Sequence, residues 1–528
     1  MALDMTPEQR EIGKANFGRV SEGLTRRDFM KSMALTGGIV APISAAAYFQ
    51  YASEQHPSLD KPVRAALIGA GDEGGVLAGE HNPKYLEIVA VCDIRPSNQK
   101  RIFTGEPTGP RRGLNFHYGR NANKDILVYT KIDEVLARSD IEAVIIALPL
   151  FLHHPIAIKA MQAGKHVLCE KLMAWNITQC KEMIQAAEKH DRILSIGHQR
   201  HYSLLYAHAV DVMHSGVLGD VRHIRALWHR NNARPKLDAN GREVVPPAYR
   251  DSWKPDIKEE DRVALENDIK KYGYKSMEEL VRWRLYNRTG AGLMAELGSH
   301  QLDACSIFLG KVHPLAVSGV GGRYFYRDER EVDDHVFVTF EFPGLNYFKE
   351  GSHEVKDKDD KVIVTYSSIN TNQFEQYGEC VMGSRGTMVV EKEENIQIYP
   401  EAGGRSLEVT VSTTGAGKPA LEASSTSGGP STPVAAAAAG ASGPPSRGYR
   451  EEIEHFAYCI RMWQQGMSKS DRPNVRCPGP NAMADAIIAL TSNLAMGKQQ
   501  RIEFKPEWFD PTNKAVPDAE MEPKIVTG

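Results

Sequence analysis

The chain has 528 residues, 41% of them hydrophobic and 25% charged, with a formal net charge of −3. That is ordinary globular composition with room for two or three domains, and no Lys/Arg stripe gives it an electrostatic reason to bind nucleic acid. Its seven cysteines (Cys92, Cys169, Cys180, Cys305, Cys380, Cys459, Cys477) are odd in number, scattered and free of any Cys-x-x-Cys pair, which argues against a disulfide framework and a zinc knuckle.

The first feature in chain order is TRRDFMK (25–31), followed by SMALTGGIVAPISAAAYF. Paired arginines ahead of a moderately apolar run, with small residues at Ala45, Ala46 and Ala47, read as a twin-arginine export signal. The run holds Gly, Ser, Thr and Pro42, which makes it a poor permanent membrane span. No other segment is long and apolar enough for one. Residues 1–52 are therefore assigned to a signal and linker, and the folded protein is expected in the periplasm, tethered only if the signal stays uncleaved. This route carries folded proteins, so free cysteines do not conflict with it, and it suits a protein that takes up a cofactor before export.

From Val63 the pattern is strand, turn and helix, repeated. VRAALIG is an apolar strand, and GAGDEGGVLAGEH is a Gly-rich turn opening a helix. EIVAVCD (87–93) is a second strand, 104–125 reads as a long polar loop, and IEAVIIALP (141–149) is a nearly continuous apolar run expected of a central parallel strand. A helix closed by Gly164, the strand HVLC, a helix over 179–190 and the strand ILSIG follow. Residues 61–198 are thus predicted to form an α/β Rossmann domain, a doubly wound parallel sheet.

Beyond Gly197 the rhythm changes, and 199–508 are assigned to an α+β C-terminal domain for substrate and subunit contacts. SLLYAHAVDVMHSG is a helix and VRHIRALWH a longer strand; 231–282 is a polar, Pro- and charge-rich insertion. Within it KEEDRVALENDIKKYG reads as a helix stopped by Gly273, and Ser276 with Glu279 forms a capping box for SMEELVRW. Alternating segments from Leu315 to Tyr399 predict a large, mostly antiparallel open sheet. Residues 413–447 are Gly/Ser/Pro/Ala-rich and read as a disordered loop. Two amphipathic helices follow, then a polar tail over 509–528.

Gly69-Ala70-Gly71-Asp72-Glu73-Gly74 matches G-x-G-x-x-G, follows a strand, opens a helix, and has Asp93 at the end of the next strand. This is the full context for dinucleotide binding. The glycines let the backbone approach a pyrophosphate on the helix N-terminus, and Asp93 takes the adenosine ribose hydroxyls, which favours NAD. Arg95 keeps NADP open. Ligands of such sheets sit outside the carboxyl ends of the strands, where Pro149 and the pair Glu170-Lys171 lie. A second cluster, GLMAELGSHQLDAC, places Glu296, His300 and Asp303 on one face if helical. His198 and His201 have no Cys or carboxylate at ligand spacing and read as structural or substrate-facing rather than as metal ligands.

The glycine turn at Gly69, ALPLFLHHP, AGKHVLCEK, GHQRHYS and GLMAELGSHQLD, in that order, make roughly residues 62–505 resemble the Gfo/Idh/MocA oxidoreductases, the group of glucose–fructose oxidoreductases and inositol dehydrogenases. Where that family has Glu-Lys-Pro this chain has Glu170-Lys171-Leu172, and the family's Asp-x-x-x-His is Glu296 to His300. The resemblance implies Lys171 and His300 as the catalytic pair. In alcohol oxidation His300 removes the hydroxyl proton. Lys171 hydrogen-bonds the oxygen, its proton relay helped by burial beside oxidised nicotinamide. Glu296 and Asp303 hold the imidazole tautomer or bind sugar hydroxyls, and Pro149 and His153 shape the nicotinamide pocket. Gln199, Arg200, Tyr202, Trp283, Arg284 and Tyr286 are candidates for sugar contacts, each equally explained by packing.

The expected activity is NAD(P)-dependent oxidation or reduction of a sugar, cyclitol or glycoside. Export to a compartment poor in NAD implies a tightly bound cofactor, and the family resemblance implies a homo-oligomer. Two other functions compete. One is NAD-dependent glycoside hydrolysis, in which transient oxidation acidifies a neighbouring C–H and the aglycone is eliminated. The other is a non-catalytic, cofactor-binding protein.

Overall fold

The computed structural model describes residues 61–517 apart from 233, 236, 243–248, 402–405, 414–418, 427–446 and 468–469. The export signal read at 1–52 lies outside the described residues, as does most of the low-complexity stretch. Strand β1 (Val63–Ile68) is apolar and almost wholly buried, and it turns at Gly69 into helix α1 (Asp72–Glu80). There follow β2 (Leu86–Cys92), α2 (Pro96–Thr104), β3 (Leu127–Tyr129), β4 (Ala143–Ile146), α3 (His153–Gln162), β5 (His166–Glu170), α4 (Ile177–His190) and β6 (Leu194–Gly197). The six strands pair in parallel in the order β3-β2-β1-β4-β5-β6, the doubly wound arrangement. The 104–125 stretch, expected to be loop, contains the short helices Leu114–Tyr118 and Ala122–Asp125.

After α5 (Leu204–His214) the chain enters a ten-stranded sheet at β7 (Val221–His229). It leaves for the insertion, which carries α6 (Glu259–Leu265), a 3₁₀ turn over Ile269–Tyr272 ended by left-handed Gly273, and the Ser276-capped turn Met277–Val281. The predicted single helix is broken between α6 and the 3₁₀ turn. A π-helical turn, Met294–Gly298, runs into α7 (Ser299–Phe308). The remaining strands are β8 (Ala316–Gly322), β9 (His335–Pro343), β10 (Lys361–Ile369), β11 (Tyr377–Gly383), β12 (Gly386–Glu391), β13 (Asn395–Pro400), β14 (Ser406–Thr413), β15 (Pro419–Thr426) and β16 (Ile502–Glu503).

Their order is β15-β14-β13-β12-β11-β7-β10-β9-β8-β16. Every pair is antiparallel except β7 with β10. Helix α7 packs on one face through Leu302, Cys305 and Phe308, against Phe340, Val364 and Val381. Strand β15 corrects the reading of 413–447 as wholly disordered: Pro419–Thr426 pairs along its length with β14. An edge strand is held by backbone bonds to one neighbour, so a sequence poor in large apolar residues can still form one.

The last two helices return to the first domain. From α8 (Tyr449–Gln464), Ile453, Phe456 and Ile460 join the core of Val63, Leu67, Leu86 and Ile145. From α9 (Gly479–Lys498), Met483, Ile487 and Leu490 pack with Ile68, Met161, Met183 and Ile196. Each such fully buried side chain contributes about 1.5–3 kcal/mol. The nucleotide domain's two faces are therefore covered in part by chain from far downstream. All seven cysteines are buried and free, and no helix among the described residues is long and apolar enough to cross a membrane.

Candidate active site

The strand order reverses between β1 and β4, and a cleft opens there beyond the carboxyl ends. A side chain at Gly69 (φ +97°) would collide with the Ala147 carbonyl, and one at Gly74 with the Gly69 carbonyl, so both turns require glycine. Gly71 faces open space instead, leaving the backbone at the N-terminus of α1 accessible to a phosphate. Asp93 ends the next strand, accepting from the Ala70 and Arg95 amides at 2.8 Å each and from Asn98 Nδ2 at 3.1 Å. Burial raises its carboxyl, and these bonds oppose the rise.

A cavity of about 850 Å³ runs from Asp93 past Gly71 and Pro149 to Lys171 and Glu296, within the size range of small-ligand sites. The insertion lines its other side with Trp253 and Tyr274, and Arg284 follows just beyond it. Two ties hold the insertion down. Asp261 on α6 accepts from Arg95 Nε (2.9 Å), the Ser97 amide (2.9 Å) and Ser97 Oγ (2.6 Å). Phe151 packs with Leu265, Ile269 and Tyr274 in a small apolar cluster. The open Gly71 backbone at one end and the Asp93 carboxylate beyond it fit a dinucleotide, with Lys171 and Glu296 at the far end.

At that end Lys171 leaves β5, and its peptide to Leu172 is cis. Lys171 Nζ donates to the Glu296 carbonyl at 2.6 Å and lies 3.9 Å from Glu296 Oε2. Buried His153 ties two strand ends together, its Nδ1 2.8 Å from the Leu172 carbonyl and its Nε2 2.8 Å from that of Leu148. Glu296 is fixed on the π-turn and accepts from Arg284 Nε. Burial pushes its carboxyl up, but Arg284 and Lys171 together outweigh burial and hold it at about 2. Glu170 and Glu73 behave oppositely: burial raises both carboxyls, that of Glu170 well above the usual range.

His300 sits in the first turn of α7, 8% exposed, its ring 5.4 Å from that of Trp228. Burial, then the charges of Lys171, Arg200 and His198, hold it well below the ordinary imidazole value. The neutral ring, able to accept a proton, is the form present near pH 7. Among the described residues its side chain makes no hydrogen bond.

Gly69, Gly71, Glu73, Asp93, Arg95, Pro149, Glu170, Lys171, Arg284 and Glu296 line this one cleft. Ala70, Gly74 and His153 hold its turns and strand ends in place, and His300, four residues beyond Glu296, lies near enough for the Lys171 charge to act on it. The structure separates others that sequence placed at the site. Arg200 is 2% exposed and spends its guanidinium on Glu393 (2.7 Å), Glu379 (3.0 Å), Gln301 (3.1 Å) and the His300 carbonyl (2.6 Å). Gln199 reaches Glu393, and the Tyr202 hydroxyl accepts from the Arg476 amide, both fully enclosed. These three cannot touch a sugar; they are corrected to framework residues. Tyr286 packs against the C-terminal core, away from the cleft.

Asp303 is corrected likewise. It is buried, and it accepts from Lys311 Nζ at 2.5 Å and lies 2.9 Å from His201 Nε2, not against His300. The π-turn ahead of α7 shifts the phase of 296 against 300 and 303, and within α7 the Lys311 and His201 side chains take up Asp303. Asp303 joins His198, His201, Cys477 and Asp485 in a buried polar knot where metal-ligand atoms of two triplets lie within 4.8 Å of one another. Linear spacing around the two histidines could not show this, because the acids arrive on α7 and α9. The Lys311 ammonium, also 3.4 Å from Asp485, supplies the positive charge there. Sequence reasoning also passed over Asp261, Trp228 and Arg230; strand alternation in VRHIRALWHR was the signal available for the last two.

Comparison with known proteins bears on this geometry. Residues 63–198 match the model for the GFO/IDH/MocA oxidoreductase family's NAD-binding Rossmann fold, and 271–388 match that for the GFO/IDH/MocA C-terminal domain. An uncharacterized oxidoreductase of Schizosaccharomyces pombe is 26% identical over 328 residues, 62% of this chain and 70% of the relative. A 2,7-anhydro-N-acetylneuraminate hydratase of Mediterraneibacter gnavus is 27% identical over 290 residues, 54% and 60% of the two chains. Among solved structures, an inositol dehydrogenase homolog of Azotobacter vinelandii, complexed with NADH and myo-inositol, aligns over 85% of this chain and 99% of its own. The TM-score is 0.56 at 14% identity, a likeness of fold.

Proposed function

We propose that this chain, a GFO/IDH/MocA-family oxidoreductase in its nucleotide-binding and C-terminal domains alike, moves hydride between a nicotinamide cofactor and a secondary alcohol of a sugar, cyclitol or glycoside. One observation carries the reading. Where the cleft from Asp93 ends, Lys171 Nζ is anchored on the Glu296 carbonyl, and burial with the Lys171 charge keeps the His300 imidazole neutral. The bound nicotinamide supplies the hydride acceptor. His300 takes the hydroxyl proton, and Lys171 donates to the oxygen as charge develops on it. Glu296, ionised throughout the neutral range, holds Lys171 and Arg284 in place.

Asp93, facing the cleft with its carboxylate, favours the ribose diol of NAD over the 2′-phosphate of NADP. The insertion tied to Arg95 and Ser97 supports slow cofactor release, consistent with twin-arginine export of a loaded enzyme to the periplasm. The sheet face turned away from α7 exposes Val320, Phe337, Met382 and Tyr399, and we read it as the contact of a homo-oligomer. Denaturing the purified protein and counting released NAD(H) and NADP(H) by mass spectrometry tests the core of this reading. Near one NAD(H) per chain is expected. A protein that neither carries nor takes up nicotinamide overturns it.

The hydratase among the relatives favours a second reading, transient oxidation followed by elimination with no net redox change. Release of free aglycone from a glycoside without accumulation of NADH distinguishes it from a dehydrogenase, which leaves a stable keto-sugar.

A further inference from the structure

At the end of β7 stands a cation that forms no ion pair among the described residues. Arg230 lies just past β7, two residues beyond Trp228, so strand alternation puts both on the face that looks toward α7. Its guanidinium carbon is 5.0 Å from the centroid of the Trp228 ring. That same indole lies 5.4 Å from the His300 ring and stacks on Tyr377 at 4.5 Å. Trp228 therefore has Arg230 on one side and the proposed base on another.

The charged and titratable groups that act on Arg230 are Glu296, Arg284, Tyr366 and Tyr377. Only one is a carboxylate, and Glu296 is already shared by Arg284 and Lys171. The Arg230 side chain is half-buried, and among the described residues it makes no hydrogen bond and no ion pair. The other enclosed arginines differ: Arg200 has Glu379 and Glu393, and Arg330 has Asp251 and Asp328. Burial lowers the Arg230 guanidinium from its ordinary value, the mark of a charge withdrawn from water.

A guanidinium partly withdrawn from water and left without an ion pair is unfavourable, unless a ligand brings the anion. Its planar fork matches a carboxylate with two parallel hydrogen bonds. Phosphate sites gather several free cations or a helix N-terminus, whereas the cations nearest Arg230 (Arg284 and Lys171) are already held by Glu296. We propose that Arg230 binds a carboxylate of the substrate, so that the alcohol oxidised between Lys171 and His300 belongs to a sugar acid. This rests on the dehydrogenase reading above and adds the substrate class to it. The acid group can sit at the far end of the chain, as in a uronic acid, or at C1, as in an aldonic acid.

The test uses the full chain loaded with NAD. Isothermal titration compares D-galacturonate and D-galactonate with galactose and galactose 6-phosphate, on the natural protein, on Arg230→Gln and on Arg230→Lys. A sugar acid is expected to bind at least tenfold more tightly than galactose, and which of the two does so fixes the carboxylate's position. Arg230→Gln should bring acid and neutral sugar within about threefold. Arg230→Lys, which keeps the charge and loses the fork, should fall between them, with thermal melting confirming that both variants fold. Equal binding of acid and neutral sugar, a preference that survives Arg230→Gln, tighter binding of the phosphate, or no binding of either acid overturns the proposal. Nicotinamide content and NADH formation are read separately: a loaded enzyme that oxidises only neutral sugars refutes the carboxylate reading and leaves the dehydrogenase standing, whereas an empty protein refutes the dehydrogenase.

Discussion

Lys171 and His300 stand on different supports, one at the end of a parallel strand and the other in the first turn of a helix. Their charges are coupled. Because Lys171 helps hold the imidazole below its usual value, Lys171→Met should move the His300 titration upward, toward about 6.5. Histidine NMR with His300→Asn as the assignment control reads this directly, and an imidazole that stays put rules out the coupling. In the natural enzyme the acid limb of oxidation should therefore lie below pH 6.5, and Lys171→Met should cost a factor of about 10²–10⁴ in kcat/KM. Arg200 makes a different kind of prediction. Its removal leaves Glu379 and Glu393 buried without a counter-charge, so Arg200→Met should destabilise the fold by about 3–5 kcal/mol in urea titration. The strand-end lysine and the histidine were legible in the sequence, because each sits at a recognisable place in a local pattern. Arg200 was misread because its acids lie 179 and 193 residues away, where no local pattern reaches.

Among elements, the insertion does the most that the sequence left open. Its capping box was legible: the Glu279 amide donates to Ser276 Oγ at 3.3 Å, and the Lys275 amide donates to Glu279 Oε2 at 2.6 Å. Its destination was not, since the bonds from Asp261 to Arg95 and Ser97 join segments more than 160 residues apart. If those bonds keep the insertion over the adenosine end, Asp261→Asn should shed cofactor about tenfold faster on dialysis, as expected for losing one charge-assisted bond of about 1.5–3 kcal/mol. Retention equal to that of the natural protein would remove the insertion from the account of tight binding. The π-turn was illegible for another reason. It adds one residue to a helix without any marker in composition, and so shifts Glu296 against the residues of α7 that the sequence had aligned with it.

At the scale of the whole molecule, the two kinds of sheet were legible from alternating apolar runs, whereas their strand orders and the return of α8 and α9 to the first domain were not. Burial on this scale also sets the acid response. His81 and His455 are held at about 3 and His166, His201 and His208 at about 4, all by burial, so each resists a proton that the unfolded chain takes up near 6.5. Acidification below that value favours the unfolded state through these rings. Burial raises Asp211 to about 6 and Glu379 and Glu454 to about 7, and these carboxyls work the other way between roughly pH 4 and 7. Below about pH 4.5 that compensation is exhausted. Glu142 and Glu296, held at about 2 by arginines despite burial, then begin to lose their pairing advantage. Melting temperature should change little between about pH 5 and 7 and fall steeply below about 4.5; the steepest loss between 5 and 7 would contradict this balance. The return of α8 and α9 has a further consequence, in time rather than space. A ribosome adding ~5–20 residues per second takes roughly 15–60 s to travel from β6 to the end of α9. For that interval the apolar faces of the first domain have no permanent cover, so the nascent chain must be shielded by something other than itself before it can close around a nucleotide.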